Sequence, residues 1–193
     1  MKVAIIKYNA GNVLSVTHAL RRIGIDPVIT DDPAILRGAD KVIFPGVGEA
    51  STAMQYLVRR NLDSLILDLK QPFLGICLGL QLMCRYSEEN NTTCLGIFDL
   101  DVKKFPPYGK VPHMGWNKLE ISGNPIFRGA GENTFLYYVH SYYAEPGPDT
   151  IATSEYIIPF SAALNKNNYF AIQAHPEKSG KDGALILENF IKL

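Results

Sequence analysis

Nothing in the charge of this chain points to a polyanion: 19 Lys and Arg balance 19 Asp and Glu, and no run of like charge exceeds two residues. A nucleic-acid surface needs a basic field to displace phosphate counterions, so no nucleic-acid partner is expected. Long apolar runs are also lacking. Apolar residues make up 47% of the chain but are dispersed, far short of the roughly 20 consecutive residues that cross a bilayer, so no membrane partner is expected either. Met1 to Lys7 carries a short apolar run followed by a polar, glycine-containing stretch, and reads as a first strand rather than a secretory signal. Cysteine is scarce and odd in number, with only Cys77, Cys84 and Cys94. That argues against a disulfide framework, fits a reducing, cytoplasmic setting, and offers no zinc-site spacing.

What is present is enough chain for a core. At 193 residues, folding buries about 70% of the unfolded surface and leaves roughly 9,000 Å² exposed. In the first half short apolar runs alternate with helix-period segments, the pattern of a mainly parallel sheet flanked by helices. Val3–Ile6, Val28–Ile29, Val42–Phe44 (stopping at Pro45-Gly46) and Phe73–Ile76 read as strands. Val13, Val16, Leu20 and Ile23 mark a helix ended by Gly24. Met54, Leu57 and Val58 form the apolar face of another, and Leu78 to Tyr86 reads as a third. From about Thr93 to Phe170 aromatic and β-branched runs broken by Gly, Pro and Asn read as antiparallel strands added to the sheet, and Ala184–Ile191 closes the chain as a helix. No linker or internal repeat interrupts this pattern, so residues 1–193 read as one α/β domain.

Three segments can carry chemistry. Gly75-Ile76-Cys77-Leu78-Gly79 lies where a buried strand turns into a helix, the context of a nucleophile elbow with Cys in place of Ser. The flanking glycines let strand and helix pack closely, and a helix N-terminus presents free amides to a developing anion. A buried cysteine in a Gly-rich turn is the plain alternative. His175-Pro176-Glu177 follows the apolar run Tyr169–Ile172. A base at a strand end, with a carboxylate two residues on to orient it, completes a Cys-His-Glu triad; alone, it also reads as a loop start. Phe44-Pro45-Gly46-Val47-Gly48-Glu49 is a third strand end whose glycines let backbone amides approach a ligand, as an oxyanion hole requires, or make only a tight turn. His18 reads as an exposed helix residue, His113 and His140 as substrate or partner contacts, Cys84 as core, and Cys94 has no role.

Taken together, the elbow, the His-x-Glu and the Pro-Gly-Val-Gly strand end resemble the class I glutamine amidotransferases, across essentially the whole chain. Within that class, Tyr8, Gly11 and Asn12, Gly75 to Gln81, Pro112-His113-Met114-Gly115-Trp116-Asn117, His140-Ser141-Tyr142 and His175-Pro176-Glu177-Lys178-Ser179 resemble the glutaminase subunits of imidazole glycerol phosphate synthases. Two positions differ from the usual pattern: Lys7 stands where an acidic residue is usual, and Glu49-Ala50 replaces Ala-Phe. The resemblance implies a flavodoxin-like α/β fold, glutamine as substrate and no cofactor or metal. It also implies ammonia passed in a heterodimer to a (β/α)₈-barrel cyclase subunit in histidine biosynthesis. By the same resemblance Cys77, His175 and Glu177 are catalytic, and the backbone amides of Val47 and Leu78 bind the oxyanion. Gly46, Gly48, Gln81, His140, Ser141 and Tyr142 surround the substrate, while Met114, Trp116, Asn117 and Lys178 face the partner. Read from the residues alone, Trp116 suits a core as well as an interface, and Lys178 suits open solvent. A glutaminase of anthranilate or pyridoxal phosphate synthesis, or a non-catalytic protein using the elbow cysteine as a sensor, are the competing functions.

Overall fold

In the computed structural model, which describes residues 1–8 and 11–193, strands β1 (Val3–Ile6), β2 (Val28–Thr30), β3 (Lys41–Gly46) and β4 (Phe73–Cys77) alternate with helices. These are α1 (Val13–Arg22), α2 (Pro33–Arg37) and the consecutive α3 (Ala50–Arg59) and α4 (Leu62–Asp68). Helix α5 (Leu78–Met83) grows directly out of β4. The rest is mostly strand: β5 (Cys84–Ser87), β6 (Thr92–Thr93), β7 (Phe98–Lys104), β8 (His113–Lys118), β9 (Glu120–Ile121), β10 (Phe135–His140), β11 (Tyr142–Ala144), β12 (Thr150–Tyr156), β13 (Ile158–Lys166) and β14 (Tyr169–Ile172). A 3₁₀ turn at Pro176–Lys178 leads into α6 (Gly180–Ile191).

The main sheet runs β2-β1-β3-β4-β14-β13-β12-β9. Its first five strands are parallel, and β13, β12 and β9 add on antiparallel. Alternate residues of the parallel strands enter two cores, one on each face. Ala4, Ile6, Val42 and Phe44 pack with Met54, Leu57 and Ile66. Val3, Ile5, Ile43, Leu74 and Ile76 pack with Val16, Leu20, Leu187 and Phe190. Burial on both faces is why these strands read as unbroken apolar runs rather than alternating ones. The exposed surface, 8676 Å², is close to what chain length predicts. Among the described residues no helix is long and apolar enough to cross a membrane.

Several local expectations change. The helix after Cys77 stops at Met83, because Cys84 to Ser87 pairs with β7 and β6 instead; inter-strand bonds override the local periodicity, and Cys84 is buried core on a strand rather than on that helix. Strand β3 continues through Pro45 and Gly46. The pairing with β1 ends at Ile43 while that with β4 runs on to Gly46↔Cys77, so Pro45 needs no donor on its open side. Val58 is 53% exposed, at the rim of the α3 face that Met54 and Leu57 bury. Not all the later strands join the main sheet: β8 and β10 pair only with each other, from Phe135↔Lys118 to His140↔His113, and β11-β7-β5-β6 form a third sheet. Strand β14 is not purely antiparallel, but the seam at which the parallel and antiparallel halves meet. Helices α2 and α4 are additional to the sequence reading.

Candidate active site

Three neighbouring parallel strands, β3, β4 and β14, end at the same edge of the sheet, and each chemistry-bearing segment begins there. This is the edge where parallel α/β sheets open their clefts. Cys77 is the last residue of β4 and sits at φ 55°, ψ −107°, a conformation that costs a non-glycine residue on the order of 1–3 kcal/mol. It persists because the elbow is packed on all sides. A Cβ added to Gly79 would collide with the Phe44 carbonyl, and one on Gly75 with the Met83 sulfur. Leu78 is the first residue of α5, so its amide is among those with no intrahelical acceptor.

His175 is completely buried, and its Nδ1 lies 2.8 Å from Glu177 Oε1. Asn12 Nδ2 donates to that same carboxylate oxygen at 3.0 Å, fastening the turn to the start of α1. The turn is tied to β10 as well: the His175 amide donates to the Tyr137 carbonyl, and Ser179 Oγ donates to the His175 carbonyl at 2.7 Å while accepting from the Tyr137 amide. His175 Nε2 is buried with no partner among the described residues. Burial alone would lower the basicity of this ring, but the neighbouring Cys77 and the hydrogen-bonded Glu177 outweigh it and raise its pKa to about 10. The imidazole is therefore held as a cation between a sulfur and a carboxylate.

Above Cys77 opens a cleft of about 450 Å³, lined by Val47, Gly48, Leu78, Gln81, His140, Ser141, Tyr142, Glu89, Pro112 and Val139. Of the residues the sequence assigns to the substrate, Gly46 alone lies outside this lining. It is the buried end of β3, packed so closely under Tyr8 and Leu78 that a Cβ would strike both. Gly48 does line the cleft and takes φ 120°, open to a residue without a side chain. Glu49, the departure from the usual pattern, caps α3 through the Ser51 and Thr52 amides; hydrogen bonds from the Ser51 and Thr52 hydroxyls and from Asn90 Nδ2 (2.6 Å) hold its pKa down to about 2.

A polar network forms the far wall. Tyr142 O accepts from His140 Nδ1 at 2.7 Å and from Gln81 Nε2 at 3.0 Å. His140 Nε2 therefore accepts from His113 Nδ1 (2.9 Å), and His113 Nε2 faces Asn117 Nδ2 (3.4 Å). Burial lowers His113 to about 4 and His140 to about 3, so both rings are neutral, as this chain of single donors and acceptors requires. His113 does not reach the cleft; its ring stacks 4.0 Å from that of Tyr156.

The candidate partner residues divide by strand alternation. Met114 and Trp116 point outward, 60% and 57% exposed, so Trp116 is not a core residue. Asn117 points the other way, donating to the Glu155 carbonyl at 2.9 Å. Lys178 is exposed just beyond Glu177. Two residues escape the sequence reading. Glu89, half-buried with its pKa raised by burial, is the carboxylate of the cleft wall, and nothing in its Glu-rich surroundings marks it. Gln173 reaches Cys77 from just past the end of β14; its only sequence signal is a polar residue directly after an apolar strand.

The profile of the family described as glutamine amidotransferase class-I matches residues 4–193. The chain belongs to the class-I glutamine amidotransferases. Relatives in this family include the imidazole glycerol phosphate synthase subunit HisH of Bacteroides fragilis, 56% identical with all of both chains covered, and that of Yersinia pseudotuberculosis, 46% identical over the same full span. Among solved structures, one glutamine amidotransferase superposes with a TM-score of 0.74, covering 100% of this chain and 98% of the other at 18% identity, a likeness of fold. A class-I amidotransferase thus has its sheet edge, elbow and cleft where the sequence motifs meet.

Proposed function

We propose that this chain is the glutaminase subunit of an imidazole glycerol phosphate synthase, releasing ammonia from glutamine for a cyclase partner in histidine biosynthesis. The observation that carries it is the strained elbow Cys77, at a cleft of about 450 Å³, beside an imidazole held cationic by Cys77 and Glu177. Full-length identity to subunits of that name supports this pathway over anthranilate or pyridoxal phosphate synthesis. A sensor role would leave the buried His175–Glu177 pair without a task. Residues 1–193 act as one amidotransferase domain, and three unpaired cysteines suit a reducing cytoplasm.

Cys77 Sγ attacks the side-chain carbonyl carbon of glutamine, and the oxygen takes up the electron pair. The amides of Leu78 and Val47 receive that oxyanion. His175 passes its Nε2 proton to the nitrogen, the C–N bond breaks, and ammonia leaves a γ-glutamyl thioester. His175, now neutral, takes a proton from water as the water's oxygen attacks the thioester. The C–S bond breaks, glutamate departs, and the thiolate–imidazolium pair is restored. Glu89 is suited to the α-ammonium group of the substrate, and Gly48, Gln81 and His140 to Tyr142 enclose the rest.

The partner docks on the outer face of β8 and β10, where Met114, Trp116 and Phe135 are exposed beside Tyr137 and Val139. This face is one backbone away from the nucleophile, since the Val139 carbonyl lies 3.9 Å from Cys77 Sγ, which suits a short passage for ammonia. Lys178 stands at the rim for an ion pair. The test is ammonia release from glutamine, measured with and without the cyclase partner and its nucleotide. Turnover that the partner stimulates is expected; no turnover in the complete complex would overturn the reading.

A further inference from the structure

The main-sheet register pairs Ile172, the last residue of β14, with Ile76, so Gln173, the residue just past the strand, follows level with Cys77. Gln173 is wholly buried, and its side chain turns toward the elbow rather than to solvent. The orientation of its amide follows from the network. The Tyr142 main-chain oxygen can only accept, which fixes Nε2 of Gln81 as the atom facing it at 3.0 Å. The same Nε2 lies 3.1 Å from Gln173 Oε1 and donates its second hydrogen there. A flipped Gln173 would set two NH₂ groups against each other, so its Nε2 is the atom left facing Cys77 Sγ, at 3.6 Å.

We propose that Gln173 is a positioning residue for the nucleophile: its amide N–H holds Cys77 Sγ at the floor of the glutamine cleft and favours the anionic sulfur, and Gln81 holds Gln173 in turn. The proposal rests on Cys77 being the nucleophile. A buried amide donates more strongly to an anion than to a neutral thiol, so the contact favours the form that attacks. It also explains why a polar side chain occupies a fully buried place directly after a core strand, where an apolar residue would otherwise pack. Gln81 lines the cleft and contacts Gln173, so filling of the cleft by substrate and placement of the sulfur share one hydrogen-bond chain.

The experiment compares wild type, Gln173→Met, which keeps the length and loses the N–H, and Gln173→Glu, which keeps the acceptor toward Gln81 and sets a charge against the sulfur. Iodoacetamide alkylation of Cys77 is followed against pH by mass spectrometry of its peptide, with Cys84 and Cys94 as internal references. Glutamine kcat and KM are measured in the partner complex, and near-ultraviolet circular dichroism and Tm report folding. Gln173→Met should move the alkylation midpoint up by about one pH unit and lower kcat roughly tenfold, with KM changed little. Gln173→Glu should move the midpoint further. A midpoint within about 0.3 pH unit and a kcat within about twofold of wild type in folded Gln173→Met would overturn the proposal. If that variant does not fold, an unmoved midpoint in Gln173→Glu would overturn it. Absence of glutamine turnover in wild type would instead count against the glutaminase reading, and the alkylation profiles would still decide the role of Gln173.

Discussion

His175 and the pair His113–His140 are all buried, yet they sit at opposite ends of the imidazole titration. His175 is raised to about 10 by groups at Cys77 and Glu177, whereas His113 and His140 fall to about 4 and 3, chiefly through burial without an anionic partner, with the nearby His175 charge lowering His140 further. Burial alone always favours the neutral form, so the charge at His175 must come from anionic neighbours held at fixed distance. One site is thereby equipped to move protons. The other is a rigid wall, whose neutral rings each donate once and accept once.

The largest test of this contrast is to remove the nucleophile. Cys77→Ala should lower glutamine hydrolysis by roughly 10⁴-fold or more in a continuous ammonia assay, while the partner still uses free ammonia. Glu177→Gln should follow at roughly 10³-fold in kcat, with the His175 titration measured by NMR moving down toward that of an ordinary histidine, since the fixed anion is gone. If the ring stays cationic to the same pH, the account of its charge is wrong. Gly79→Ala should be third, because the new methyl collides with the Phe44 carbonyl: a loss of about 2 kcal/mol or more in denaturant unfolding, together with lost turnover.

The neutral pair makes the opposite forecast for pH. An unfolded chain protonates His113 and His140 near pH 6.5, and the folded chain only near 4 and 3, so the unfolded state binds more protons between these values. Stability should then fall as pH drops from about 6.5 toward 4, by up to about 1.4 kcal/mol per pH unit for each proton taken up. His175 contributes with the other sign: its stabilisation is complete below about pH 6.5 and is lost as pH rises through about 10. A Tm profile that stays flat from pH 6.5 to 4.5 would remove the neutral-pair account. The smallest effect on the isolated chain belongs to Trp116→Ala, which should leave Tm within a degree or two and weaken partner binding by about 2 kcal/mol, read by titration calorimetry.

Much of the site was legible because its demands are local. Gly75-Ile76-Cys77-Leu78-Gly79 states its own backbone requirement, and the two-residue step from His175 to Glu177 spans a single turn, within which Nδ1 meets the carboxylate. The helix expected through Tyr86 failed for the converse reason: residues 84–87 satisfy a periodicity that partner strands elsewhere in the chain override. The sequence reads His113 as a substrate or partner contact and Asn117 as a partner contact, but a motif carries no information about which face of β8 is inward, where both side chains lie.

By itself, the order of amino acids determined the parallel core, the elbow and the neighbouring acid–base pair, since each depends on side-chain size, glycine freedom or apolar alternation over a few residues. Only the tertiary structure decided which distant groups meet. Gln173 lies 96 positions from Cys77 and Asn12 165 from Glu177, and whether an imidazole such as His140 or His175 is charged depends on what surrounds it. Register between β4 and β14 and packing of α1 against the His-Pro-Glu turn set those neighbours, because hydrogen bonding and charge act across space at a few ångströms irrespective of distance along the chain.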